Sequence, residues 1–251
     1  MNLRIFHFIL WSFLFFSCAS EEKESSKSME KKNPSQIDTV KKVDLVKDTC
    51  ELEKHLIVSG LVDIQKTIPG ILIDLRYSDT NNFMHIDVYG DLERIYLQPD
   101  VAEKLKVAQE YLQSQDSNLT LLVFDGVRPR SVQQIMWDTV DIPINERGKF
   151  VSNPKNGSLH NYGAAVDVTI AKLNGEELDM GTPYDDASKL SYPAMEAAYL
   201  QKGELTKEQI ANRKLLRAVL SKSGFWNIQT EWWHFNSCNR EQAKGKYEIV
   251  E

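Results

Sequence analysis

The chain opens on an almost unbroken apolar run, Ile5 to Phe16, behind one basic residue, Arg4. That run is too short to span a membrane as a mature helix and predicts a cleavable export signal over residues 1–17. The apolar pattern then stops. Residues 19–48 hold seven acidic and seven basic side chains, few apolar ones and no aromatics. Such a stretch buries too little surface to offset chain entropy, so 18–48 is expected to be a flexible tether. Patterned sequence resumes near Thr49 and continues to Glu251, predicting one domain over 49–251.

Within that domain the periodicity alternates between strand and helix. Ile71 to Tyr77 reads as a strand, followed by a polar turn at 78–82. Pro99 starts a helix whose apolar residues Val101, Leu105, Ala108 and Leu112 line one face. Leu119 to Phe124 has strand length and ends in the turn residues of Asp125-Gly126-Val127-Arg128-Pro129. A second helix is expected around Val132 to Thr139. Ala164 to Ile170 alternates, with Val166, Val168 and Ile170 on one side and Ala165, Asp167 and Thr169 on the other. Thr206 with Gln209 forms a capping box for a helix reaching about Ser223, closed by Gly224. Phe225 to Phe235 is then expected to be a final aromatic strand, with Trp232 on the same side as His234. Strands and helices mix without regular βαβ alternation, which predicts an α+β fold.

Composition sharpens this picture. A hydrophobic share of 42%, with ten Phe, nine Tyr and five Trp, is ample for a packed core. Taking the tether's charges and Arg4 from the chain's 36 acidic and 30 basic residues leaves the domain at net −7. That excludes a general nucleic-acid binder, which needs a basic face. Ser17-Cys18 at the end of the apolar run resembles a bacterial lipoprotein signal, although Phe15 and Phe16 replace the usual smaller aliphatic pair. The resemblance implies lipidation of Cys18 and an exported protein anchored to the membrane by lipid alone, facing the periplasm or the cell exterior. The competing expectation is an ordinary signal peptide cut nearby. Export would permit a disulfide between Cys50 and Cys238, with free thiols the open alternative.

The candidate chemistry rests on two of the five histidines. His160 and His234 sit near carboxylates in HNYGAAVD (160–167) and EWWH (231–234). A catalytic zinc takes three protein ligands and leaves a fourth position for water. His160, Asp167 and His234 supply three, leaving Glu231 as a candidate base. Asp167 interrupts an apolar strand, where a carboxylate is costly without a cation or hydrogen bonds. One difficulty is geometric: residues three apart in a regular strand face opposite ways, so Glu231 and His234 can share a site only at a strand end, bulge or helical turn. His85 and His55 are expected to be structural and superficial, respectively.

SLHNYGAAVD together with EWWH resembles the metal signature of the D-alanyl-D-alanine dipeptidases, the VanX-like branch of the zinc peptidases, which also includes D,D-carboxypeptidases and is related to the Hedgehog signalling domain. DLRYSDTNNF (74–83), DGVRPR (125–130) and MGTPYD (180–185) are similar too, so the likeness spans roughly 55–250 in consistent order. The resemblance implies a compact single domain with a central antiparallel sheet carrying one zinc ion. It implies His160, Asp167 and His234 as ligands, Glu231 as general base and Arg128 as the group stabilising the tetrahedral intermediate. Ser158, Tyr77 and Asp185 match positions near the bound dipeptide, Asp185 facing its ammonium. For Arg128 the bland alternative is a turn residue paired with Asp125.

The expected activity is zinc-dependent cleavage of D-Ala-D-Ala or a similar dipeptide, in cell-wall turnover or D-alanine salvage. A D,D-carboxypeptidase acting on peptidoglycan stem peptides is the nearest alternative. A non-haem iron oxygenase shares the two-histidine, one-carboxylate triad, but a seven-residue spacing and an idle Glu231 count against it. A non-catalytic, zinc-stabilised surface lipoprotein is the remaining class; intact Glu231 and Arg128 count against it.

Overall fold

The computed structural model describes residues 49–251. The expected signal (1–17), lipidation at Cys18 and the tether (18–48) lie outside the described residues. The first half of the domain runs α1 (Glu51–Val58), β1 (Val62–Asp63), α2 (Ile64–Thr67), β2 (Leu72–Ile73), β3 (Tyr96–Leu97), α3 (Pro99–Gln115), β4 (Leu119–Asp125) and α4 (Arg130–Thr139). The second half runs β5 (Ala165–Lys172), α5 (Glu196–Lys202), α6 (Lys207–Lys222), β6 (Trp226–Asn227), β7 (His234–Asn236) and α7 (Arg240–Lys246). The fold is α+β, as expected.

A five-stranded sheet in the order β2-β4-β5-β7-β6 forms the centre, and β1 pairs with β3 in a two-stranded ribbon. The expected antiparallel sheet is present across β4, β5, β7 and β6, and β2 is added at its edge parallel to β4. Their connection includes all of α3, and a long crossover of this kind returns the chain in the same direction. Helices α3 and α6 pack on each other and against β4 and β5, respectively. Both faces of β5 are covered, since Val166, Val168 and Ile170 are buried and so are Ala165, Asp167 and Thr169. The capping box at Thr206 and Gln209 forms as read.

Two expected strands are shorter than the sequence suggested. The Ile71–Tyr77 strand keeps only Leu72–Ile73, after which Arg76–Ser78 winds into a 3₁₀ turn. Arg76 Nε donates to Asp74 Oδ2 at 2.6 Å, and the backbone N–H groups of Val88 and Tyr89 both donate to the Tyr77 carbonyl. These bonds replace the ladder. The Phe225–Phe235 strand is instead a hairpin of β6 and β7. Asn227 breaks it, because its Nδ2 donates to the carbonyls of Glu231 and His234, each at 2.8 Å. Cys50 and Cys238 are free, half-buried thiols, and Cys50 Sγ accepts from Glu53 N–H at the start of α1. His55 and His85 are exposed.

Candidate metal centre and active site

The sheet register assembles the site. Asp125 on β4 stands opposite Asp167 on β5, which stands opposite His234 on β7. Directly opposed residues point to the same face, so these three form one transverse row. A bulge between Val123 and Asp125 shifts β4 by one residue and brings Asp125 into that row. His160 joins from the 3₁₀ turn His160–Tyr162, closed by Gly163 in the left-handed region at φ +63°. A Cβ at Gly163 would lie 2.8 Å from Leu61 Cδ2, so the close approach also requires glycine.

Three ligand-type atoms converge. His234 Nδ1 lies 2.9 Å from Asp167 Oδ1, His160 Nε2 lies 3.4 Å from the same oxygen, and the two nitrogens are 3.1 Å apart. The far side of each group is engaged. His160 Nδ1 donates to the Gly126 carbonyl at 2.6 Å, His234 Nε2 donates to Asn236 Oδ1 at 2.9 Å, and Tyr184 O–H donates to Asp167 Oδ2 at 3.0 Å. A carbonyl can only accept, so His160 must carry its proton on Nδ1 and turn a lone pair inward. Inward lone pairs on both rings beside a carboxylate oxygen repel one another unless a cation sits among them. The donor set therefore fits a metal ion.

A proton on His234 relieves the same repulsion. Burial opposes charge on His234, but its bond to Asp167 raises its pKa to about 9. Burial likewise works against the Asp167 carboxylate, yet the two histidines hold it well below its usual range.

Glu231 precedes β7 rather than lying in it, which resolves the spacing difficulty: the two residues meet at a strand end. Burial pushes its pKa up, and His234 partly offsets this. Arg128 is buried, and its Nε donates to Asp125 Oδ2 at 3.0 Å. Its guanidinium carbon stands 4.9 Å from the Tyr77 ring centroid. Tyr89 O–H holds the other Asp125 oxygen at 2.8 Å. The turn pairing with Asp125 is thus present, and it leaves Arg128 Nη1 with no hydrogen bond among the described residues.

One cavity of about 270 Å³ is lined by His160, Asp167, His234, Glu231, Arg128, Tyr77, Ser158 and Asp185. Every site residue expected from the described sequence therefore reaches the same space. Tyr77 O–H donates to Asp185 Oδ2 at 2.9 Å, and Asp185 adopts φ +63°. Burial, then Asp167, pushes the Asp185 carboxyl well above its usual range. The tryptophans need correction: Trp233 lines the cavity, whereas Trp232 turns away and donates from Nε1 to Thr182 Oγ1. Residues 231–233 lie ahead of the strand, so the alternation assumed for them does not apply. Sequence reasoning missed Tyr184 and Asn236, each adjacent or nearly adjacent to a residue it had singled out. It also missed Asn161, whose Nδ2 donates to the Arg128 carbonyl at 2.7 Å and whose Oδ1 accepts from Ser158 N–H.

A convergent His-Asp-His set, an adjacent buried carboxylate and an anchored guanidinium in one cavity define a hydrolase of the metallopeptidase type. A family model described as D-ala-D-ala dipeptidase matches residues 58–249. The chain is 31% identical over 178 residues to the D-alanyl-D-alanine dipeptidase of Escherichia coli (strain K12), covering 70% of this chain and 83% of that protein. It is 27% identical over 191 residues to the D-alanyl-D-alanine dipeptidase of Enterococcus faecium, covering 70% and 90%. A solved structure of the vancomycin resistance D,D-dipeptidase VanXYg, in complex with a D-Ala-D-Ala phosphinate analog, matches with a TM-score of 0.38 at 20% identity, covering 66% of this chain and 60% of that one. The chain belongs to the D-Ala-D-Ala dipeptidase family, whose members are metal-dependent.

Proposed function

We propose that this protein hydrolyses D-alanyl-D-alanine, or a similar D,D-dipeptide, with one zinc ion held by His160, Asp167 and His234. The observation that carries the reading is the inward-facing lone-pair triangle, opening into the cavity that Glu231 and Arg128 also line. Two imidazoles and a carboxylate suit zinc and leave a fourth position open. Zinc there would bring the pKa of water toward neutrality and polarise the scissile carbonyl.

The protein's own groups do the rest. Glu231, pushed up by burial, is poised to take a proton from water and hand it to the departing amine. Arg128 Nη1, left free by the Asp125 pairing, can donate to the developing oxyanion without losing its charge. The Tyr77–Asp185 pair offers a buried carboxyl group whose ionisation the substrate ammonium would favour, against the burial and the Asp167 charge that raise its pKa. The export signal, Cys18 and the charged tether support a lipid-anchored enzyme outside the cytoplasm. Cell-wall turnover or D-alanine salvage is the use that such a placement favours.

The test follows free D-alanine released by the zinc-loaded full chain from D-Ala-D-Ala, with L-Ala-L-Ala and Glu231→Gln alongside. Release from the D,D substrate alone, lost by at least about a hundredfold in the variant, supports the reading. Stoichiometric zinc binding with no release from any dipeptide overturns it and turns attention to longer stem peptides.

A further inference from the structure

A dipeptide carries a carboxylate as well as an ammonium, and the roles above leave the carboxylate without a partner. Two cationic side chains line the cavity, Arg128 and Arg240. Arg128 is committed to Asp125, and in the proposed reaction its free nitrogen meets the oxyanion. Ser158 cannot serve as a donor either. Its hydroxyl gives its proton to Gln133 Oε1 at 2.8 Å, and Gln133 is fixed in that sense because its Nε2 donates to the Ser152 carbonyl.

Arg240 is differently placed. It is the first residue of α7, and its Nη1 donates to the Asn156 carbonyl at 2.8 Å. That bond holds the exposed guanidinium at the cavity's edge, beside the stretch leading into Ser158, and leaves its remaining N–H groups without a partner among the described residues. The acidic subsite is tied to a different part of the chain, through Asp185 and Tyr77.

We infer that Arg240 binds the free α-carboxylate of the substrate's C-terminal residue and so selects peptides with an uncapped end. A guanidinium presents paired donors that match a carboxylate. This rests on the dipeptidase reading for the identity of the substrate, but it makes its own prediction about charge.

The experiment compares kcat/KM of the zinc-loaded full chain on D-Ala-D-Ala and on its C-terminal amide, in the parent, Arg240→Gln and Arg240→Lys. The parent should prefer the free acid. Arg240→Gln should shrink the acid-to-amide ratio by about tenfold, mainly through KM for the acid, and Arg240→Lys should recover part of it. An unchanged ratio, or an equal loss on both substrates, would mean that Arg240 only braces Asn156, and the proposal fails. Calorimetric binding of the same two compounds to Glu231→Gln, with and without Arg240→Gln, supplies a readout independent of turnover. Acid-selective binding that requires Arg240, with no hydrolysis in the parent, would keep this inference while the dipeptidase reading fell.

Discussion

Tyr184→Phe removes one hydroxyl and keeps the ring, so it isolates what the hydrogen bond to Asp167 contributes. The phenol donates to Asp167 Oδ2 at 3.0 Å, while Oδ1 faces the two histidines. The ring remains packed against Phe124 and Trp233, at centroid distances of 4.7 and 5.5 Å. Burial raises the Tyr184 pKa well above its usual value, so the donor is neutral at any practical pH. Once it is gone, the nearest remaining charge partner for Oδ2 is Arg128 Nη2 at 3.8 Å, beyond hydrogen-bond reach. A hydrogen bond to a charged group contributes roughly 1.5–3 kcal/mol. The nearby guanidinium offsets part of the loss, which places the expected cost near the lower end. Outer partners of metal ligands act on affinity at this scale, so the zinc Kd should rise about tenfold. Competition for zinc against a chromophoric chelator at fixed pH measures it, with metal-free melting as a control. A Kd within about twofold of the parent, or equal Tm losses with and without zinc, would refute the view that Tyr184 orients the ligand.

Three further outcomes follow from the same geometry. In the metal-free protein His234 titrates near 9 rather than 6.5, so its stabilising contribution is complete below about 6.5 and is lost as pH rises through 9. A metal ion held there would have to displace that proton, so apparent zinc affinity should strengthen about tenfold per pH unit across this window, read by the same competition at several pH values while metal-free Tm falls. Gly126→Ala places a Cβ 2.6 Å from Ile95 Cγ2 and 2.8 Å from the Tyr96 carbonyl, at the residue whose own carbonyl holds His160. It should cost about 1–3 kcal/mol in thermal unfolding and weaken zinc binding with it. Asn227→Ala frees the Glu231 and His234 carbonyls, and kcat should fall between about tenfold and a hundredfold with zinc still bound at stoichiometric level.

Much of the fold was legible because its long elements carry their own signals. Pro99 and the apolar stripe of α3 mark a helix without help, as does the capping box of α6. The short elements were not legible, because side chains decide them. Asn227 takes carbonyls that an aromatic strand would have used, and Arg76 with Asp74 ends β2 early. At the site, ordered motifs gathered the charged residues, since chemistry limits what can hold a metal or move a proton. The supporting groups were hidden. Tyr184 and Asn161 sit in irregular chain, where no periodicity says which way a side chain turns. Asn236 was in principle readable: two residues past His234 on a strand, it shares that histidine's face. Arg240 carried no signal, because its place depends on a carbonyl 84 residues away.

The spacing of the three ligands bears on how long the folded state lasts once exposed to a harsh medium. His160 and Asp167 are near neighbours, but His234 lies 67 residues beyond Asp167. An ion bridging them would cross-link the unfolded chain into a loop of that length. By polymer reasoning, closing it removes on the order of 4 kcal/mol of chain entropy from the unfolded side, as a disulfide would. With both described cysteines free, that fastening would fall to the metal. Chelation would then do more than stop turnover: the stripped enzyme would unfold more readily and offer proteases a larger unfolded population.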